Sequence, residues 1–326
     1  MGNRILETIL LTKSEVERLL DINQLYKDLV EAFRYYSKRK ERNGLRVRSS
    51  LKYDNSSAMI LFPGLLANIP AFTIKNHTKF PSETPSIKGV IHLHDLYSGS
   101  LLSIMDSTYI TSVRTGLSGA IGTHFLARKD ANKVAIIGAG VQGTQQLRAL
   151  SMLREISEIF IFDENKENAK RMISNLQQEI HSSFTICQSL DQSVVDADII
   201  ICATWSKKPF LFSNMIKKGT HITTLGPDEP NKAEVSAELI EKSLFICDDR
   251  ELAVSMGAIG GVGLDVREID AELGEVIDNK NLGRRNDDQI TIFGMVGLPF
   301  QDLVGAWMVY QQAIKDEIGL RINFLQ

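Results

Sequence analysis

Val134-Ala135-Ile136-Ile137-Gly138-Ala139-Gly140-Val141-Gln142-Gly143 decides the fold of this chain. A short apolar strand runs into a complete G-x-G-x-x-G, and residues 142–153 continue with a helical pattern. The first glycine permits a tight turn, the second lets backbone approach a pyrophosphate, and the third lets helix and strand pack closely. The phosphates then rest at the positive end of the helix. Alone the motif is weak; its place between strand and helix makes Gly138, Gly140, Val141, Gln142 and Gly143 the expected dinucleotide-binding turn.

Downstream, the strand 159–162 ends at Asp163, 25 positions after Gly138, where a carboxylate can accept hydrogen bonds from the adenosine ribose hydroxyls. That carboxylate would repel a 2′-phosphate, so NAD is the expected cofactor; the nearby Lys166 keeps NADP as the alternative. Short apolar strands at 184–187, 199–202, 221–225 and 244–247 follow, mostly separated by helical stretches. Parallel strands need such crossovers, so the pattern predicts a Rossmann-type doubly wound parallel sheet, class α/β. Thr204 and Ser206, just past the 199–202 strand, are candidate cofactor contacts, with local capping as their other reading.

Upstream the rhythm differs. Ser14 with Glu17 forms a capping-box pattern, Asp21 can cap a second helix, and Ile22, Leu25, Tyr26, Leu29, Val30, Phe33 and Tyr36 share one apolar face. The basic run Lys38-Arg39-Lys40-Glu41-Arg42 reads as a solvated helix end. Strands at 49–53, 58–62, 72–75 and 89–94, broken by Gly, Pro and Asn, predict an antiparallel or mixed sheet. A helix over 112–127 carries Gly116, Gly119, Ala120 and Gly122, small enough for close packing. The expected organisation is a second α+β domain over 1–113, joined by 301–326 through a helix at 304–317, and a dinucleotide-binding domain over 114–300.

Composition narrows the function. The 326 residues carry 37 Lys+Arg against 40 Asp+Glu, a net charge of −3, which offers no basic field for nucleic acid. Cys187, Cys202 and Cys247 are an odd, widely spaced set that suits neither disulfides nor zinc. No run is long and apolar enough to span a membrane, and the first residues lack a signal-peptide core. A cytoplasmic protein is expected. His92 and His94 share a strand face but have no further ligands in a recognisable pattern, so no metal is expected.

Further motifs point to a family. Ile74-Lys75-Asn76-His77, the run Met105 to Gly116 containing Arg114, Leu225-Gly226-Pro227-Asp228 through Lys232 and Glu234, Gly283-Arg284 with Asp287-Asp288, and Gly294 through Gly297 to Asp302 follow in order. With the glycine turn they resemble the ornithine cyclodeaminase/mu-crystallin family over essentially the whole chain. The resemblance implies that Lys75 and Arg114 hold an amino acid's α-carboxylate, with Arg48 as the third cation. Arg46, two residues away on the same strand face, competes for that place. It implies that Asp228 is the catalytic carboxylate exchanging a proton at the substrate, that Lys75 polarises the reacting centre or relays a proton, and that Val296 and Gly297 line the cofactor amide. His77 either lines the pocket or makes a structural hydrogen bond.

Departures from the family pattern shape the expected activity. Ala58-Met59-Ile60-Leu61-Phe62-Pro63 has apolar Ile60 where cyclodeaminases carry a glutamate, the 75–85 stretch is short, and Ser86 replaces a common threonine. An apolar residue leaves a side-chain ammonium desolvated and unpaired. The resemblance thus implies an NAD(P)-dependent oxidoreductase acting at the α-carbon of a small amino or imino acid, by reduction of a ketimine such as pyrroline-2-carboxylate or by alanine dehydrogenase-like chemistry. Ornithine cyclodeamination and non-catalytic NAD(P)H binding, as in crystallins, are the alternatives. The resemblance also implies that residues 1–113, joined by 301–326, are the substrate-binding and dimerisation domain, with a homodimer formed through its sheet.

Overall fold

The computed structural model describes residues 7–38, 46–51, 57–80, 83, 85–227 and 232–324. The strands are β1 (Thr8–Leu11), β2 (Val47–Ser50), β3 (Ala58–Leu65), β4 (Ala71–Lys79), β5 (Ile87–Asp95), β6 (Leu101–Asp106), β7 (Lys133–Ile137), β8 (Glu158–Phe162), β9 (Ser183–Ile186), β10 (Ile199–Cys202), β11 (His221–Thr224), β12 (Leu244–Cys247), β13 (Ala271–Glu272), β14 (Thr291–Gly294) and β15 (Leu320–Ile322). They form two sheets, in two compact units. The first unit comprises Met1–Ala32, Arg39–Arg114 and Leu298–Gln326; the second comprises Phe33–Lys38 and Thr115–Gly297.

In the first unit the sheet order is β15-β1-β6-β5-β4-β3-β2, antiparallel except for the parallel β1–β6 pair. Burial alternates along β4: Ala71, Thr73, Lys75, His77 and Lys79 point inward, while Phe72, Ile74, Asn76 and Thr78 are more open. The helix Pro299–Lys315 packs against β3, β4 and β5. Its start follows from sequence, since Pro299 occupies the first turn, where a missing N–H costs nothing. The first helix, Lys13–Leu19, is capped by Thr12 with Glu15 rather than by Ser14 with Glu17. The S/T-x-x-E pattern occurs in both registers, and Glu17 instead pairs with Lys13 at 3.6 Å. Asp21 does cap the next helix, Ile22–Ser37, accepting from the Gln24 amide at 3.0 Å.

In the second unit all eight strands are parallel, in the order β13-β12-β14-β11-β10-β7-β8-β9. The chain runs from β7 outward to β9, returns to β10 on the other side of β7, and continues away. That reversal makes the end of β7 the switch point at which such sheets bind ligands. The central strands β10, β12 and β14 are buried on both faces, so they lack the alternation of β9 at the edge. Gly116, Gly119 and Gly122, on the helix Thr108–Leu126, lie where an added Cβ would meet Gln145, Gln146 and Phe293 at 2.7, 2.1 and 2.2 Å. The small side chains permit this close approach.

Candidate active site

The first unit buries a cluster of charge that strand register assembles. Lys75 on β4 lies opposite Phe62 on β3, and its Nζ stands 4.4 Å from the Phe62 ring centroid. Across the layer, Asp302, in the first turn of Pro299–Lys315, accepts from Lys75 Nζ at 2.5 Å and from Arg114 Nε and Nη2 at 3.0 and 3.4 Å. Arg114 Nη1 also donates to Gln301 Oε1 at 2.6 Å, and Lys75 makes a long contact of 3.5 Å with Thr111 Oγ1. Lys75, Arg114 and Asp302 are each at most 4% exposed.

Burial there resets the proton affinities. Desolvation pulls the Lys75 ammonium down to about 7; Asp302 pulls it back up, and Arg114 pushes it further down. Burial alone would raise the Asp302 carboxyl, but Arg114 and Lys75 more than reverse this and hold it below the usual carboxylate range. His77, one inward position along β4, is pushed down to about 3, first by burial and then by Lys75. It therefore stays neutral and bonds Ser107 Oγ at 2.8 Å through Nε2. The cluster thus offers two cations around one carboxylate, and a lysine able to gain or lose its proton near neutrality.

Of the two competing arginines, Arg46 lies with its guanidinium 4.8 Å from the Phe62 ring that Lys75 also contacts. Its charge contributes to lowering both Lys75 and His77. Arg48, on β2 opposite Ile60, donates to Ser50 Oγ at 3.2 Å. Ile60 itself is buried on the same inward face as Phe62. His92 Nδ1 meets the Ile74 carbonyl oxygen at 3.3 Å, and His94 stacks on Phe72 with centroids 4.9 Å apart. Among the described residues no three His, Cys, Asp or Glu side chains are grouped to hold a metal.

The second unit builds a cradle at the end of β7. Gly138 adopts φ +96°, and a Cβ there would lie 2.5 Å from the Ala203 carbonyl oxygen. A Cβ on Gly143 would lie 2.1 Å from the Gly138 oxygen. Gly140, by contrast, faces open space at the N-terminus of the helix Val141–Ser151, beside an exposed Val141. Two glycines thus shape the turn, and the third leaves room for a ligand at the helix end. Asp163 braces the turn: its Oδ2 accepts from the Ala139 amide at 2.7 Å, and its Oδ1 accepts from the Asn165 amide and Asn168 Nδ2. Lys166 Nζ reaches Gln188 Oε1 at 2.6 Å. The chemistry suits a dinucleotide phosphate bridge with its ribose near Asp163.

Other expected contacts at this sheet edge are committed internally. Thr204 donates its amide and hydroxyl to Glu234 Oε1, each at 2.7 Å, while Thr224 Oγ1 and the Gly226 amide donate to Glu234 Oε2. Ser206 Oγ donates to the Lys208 carbonyl oxygen. Both hydroxyl protons therefore serve the loop. Asp228 lies outside the described residues. The Val296 and Gly297 amides donate to Asp248 Oδ2 at 3.0 and 2.6 Å, which leaves that segment's carbonyl oxygens as its means of holding a carboxamide. Burial, opposed by those amides, raises the Asp248 carboxyl to about 7.

Gly283-Arg284, part of the resemblance, serves architecture. Arg284 donates to the Leu126, Gln289 and Thr220 carbonyl oxygens and to Thr291 Oγ1, close to where β11 and β14 begin. Sequence reading did not assign Asp302, Gln301, Glu234 or Asp248. Asp302 and Gln301 carried a faint signal, polar residues just after a proline-started helix turn. Asp248 carried a clearer one, an acid directly after an apolar strand at the ligand edge of the sheet.

Comparison with known proteins agrees with these features. The profile of the ornithine cyclodeaminase/mu-crystallin family matches residues 6–317. The chain is 31% identical to an alanine dehydrogenase of Archaeoglobus fulgidus, over 98% of this chain and all of that one. It is 27% identical to a Δ1-pyrroline-2-carboxylate reductase of Bacillus cereus, over 97% of this chain and all of that one. A solved archaeal alanine dehydrogenase dimer with bound NAD superposes with a TM-score of 0.90 at 31% identity, covering 98% of this chain and all of that one. The Thermococcus litoralis Δ1-pyrroline-2-carboxylate reductase, solved with NADH and L-proline, superposes with a TM-score of 0.90 at 28% identity, covering 97% and 100%.

Proposed function

This chain belongs to the ornithine cyclodeaminase/mu-crystallin family, and from that premise we propose that it is an NAD-dependent oxidoreductase acting at the α-carbon of a small amino or imino acid. The observation that carries the reading is the buried Lys75–Asp302–Arg114 cluster, in which Arg114 keeps donors not committed to Asp302 or Gln301. A planar guanidinium fork with an adjacent ammonium suits a carboxylate. NAD, when bound, accepts or supplies the hydride at the α-carbon. Arg114, Lys75 and Arg46 fix the substrate carboxylate, with Arg48 the other claimant for the third place. Holding the acid in one orientation removes much of the positional cost of reaction. Lys75, poised near neutrality, relays a proton to or from the nitrogen-bearing centre, and Asp228 exchanges the proton at the nitrogen itself.

Cofactor contacts in this reading come from Gly138, Gly140, Val141, Gln142, Gly143 and Asp163, with Val296 and Gly297 at the carboxamide. The Asp163 carboxylate favours NAD over NADP, since Lys166 is engaged with Gln188. Buried Ile60 disfavours a substrate with a second ammonium, and with it ornithine cyclodeamination. The open face of the first unit's sheet presents Met59, Leu61, Phe72, Ile74, Val90 and Ile104, an apolar patch suited to a second copy of the chain.

The test is a panel of keto, imino and amino acids with NADH, NADPH and NAD, following cofactor absorbance and ammonia together. Net NADH consumption with pyrroline-2-carboxylate, or with pyruvate plus ammonium, is the expected result. Ammonia release from ornithine without net cofactor change would overturn it. Light scattering of the purified protein, expected to give twice the chain mass, checks the dimer.

A further inference from the structure

We propose that Gln301 is a substrate-binding residue, its Nε2 amide donating to the carboxylate held at Arg114 and Lys75; this rests on the carboxylate-binding reading above. Arginine has no acceptor, so the glutamine oxygen must face Arg114, and the 2.6 Å contact fixes the amide's orientation. The Nε2 group then points its two N–H bonds elsewhere. Gln301 is fully buried, and its Nε2 has no partner among the described residues. A buried donor left unpaired is costly, so a side chain kept in this state answers to something absent from the protein itself.

The count of free donors matches one class of ligand. Arg114 has five N–H groups, of which Asp302 and Gln301 take three, leaving two on Arg114 and two on Gln301 Nε2, while Lys75 Nζ keeps one proton beyond its contacts with Asp302 and Thr111. An ionised carboxylate accepts about four hydrogen bonds. Thr73 adds a second, independent sign. Its Oγ1 is buried without a partner on the same inward face of β4 as Lys75. β4 and the helix Pro299–Lys315, which pack together, thus each hold a buried polar group without a partner. Gln301 sets selectivity for a carboxylate over an amide or ester, whose N–H or alkyl group would oppose the donors.

Two variants of the full-length chain test this. Gln301→Met keeps the length and removes the donors; Gln301→Glu keeps an oxygen for Arg114 but puts a second acceptor where the donors were. Binding of L-proline and of L-alanine is measured by calorimetry with NAD present, alongside KM for pyrroline-2-carboxylate and for pyruvate. Gln301→Met should raise Kd and KM about tenfold to a hundredfold. Gln301→Glu should abolish measurable binding, with NADH affinity unchanged in both. If Gln301 only supports Arg114, Gln301→Glu, which strengthens that contact, binds like the parent, and the proposal falls. Carboxylate binding by the parent without turnover would sink the oxidoreductase reading yet leave the Gln301 comparison decisive. A parent that binds neither acid overturns the proposal outright.

Discussion

Replacing Asp302 by asparagine removes the single carboxylate that faces both Lys75 and Arg114 while keeping the side chain's size. A unit-charge pair at the 2.5 Å seen for Lys75 is worth on the order of 6–7 kcal/mol at an effective dielectric of about 20. Much of this is offset by the desolvation already endured, and breaking a buried ion pair from one side has a net cost of about 3–5 kcal/mol. In a chain of this size that corresponds to a fall in Tm of roughly 4–7 °C. The same change removes the attraction that keeps Lys75 from falling below about 7, so its proton is lost at lower pH. Thermal unfolding monitored by circular dichroism, with the pH profile of kcat/KM for imine reduction, reads both effects. With Lys75 relaying the proton as proposed, the alkaline limb should move to lower pH by a unit or more. A Tm within two degrees of the parent together with an unmoved limb would refute the reasoning.

The same lysine makes stability depend on pH. Its folded value near 7 lies below the ordinary 10.5, so across that window the unfolded chain holds a proton the folded chain has released, and stability rises with pH. Urea unfolding of parent and Lys75→Met at pH 7 and pH 9 should show the parent gaining up to about 2 kcal/mol relative to the variant; a constant difference would exclude this. Gly140→Ala should fold normally yet bind NADH at least tenfold more weakly by fluorescence titration, whereas Gly143→Ala, with its 2.1 Å contact, should also lose Tm. Asp248→Asn should match or exceed the parent's stability at pH 8, because it keeps an acceptor for the Val296 and Gly297 amides without a buried charge. Asp248→Ala should lose about 2 kcal/mol in the same denaturant titration.

Local chemistry made much of this molecule readable. Gly138, Gly140 and Gly143 announce their turn because their spacing falls directly between an apolar strand and a helical stretch, and β7, β8, β10 and β12 announce themselves as mainly apolar runs. Lys75 and Arg114 were legible only through whole motifs, since one cation on a strand or helix says nothing by itself. Asp302 was not legible as their partner. Its role depends on meeting Lys75 across 227 positions, and no periodicity encodes that distance. β14 escaped for a related reason: it inserts between β11 and β12, so its neighbours in the sheet are not its neighbours along the chain. β1 and β6 pair with each other across more than ninety residues and were likewise silent. The shift of the first helix cap from Ser14 to Thr12 is a smaller miss, decided by which of two equivalent boxes suits the preceding strand.

Thr8, Ile9 and Leu10 pair with Ile322, Arg321 and Leu320, so two segments separated by nearly all of the intervening chain must meet before the mixed sheet is complete. The parallel sheet, contained within residues 133–294, can form while the ribosome is still adding the rest. Asp302 emerges later still, and until it does Lys75 and Arg114 lack their counter-charge. Nascent chains halted before residue 299 should therefore present a protease-resistant parallel sheet and a digestible first unit, in which Lys75 and Arg114 wait for the one carboxylate that settles them.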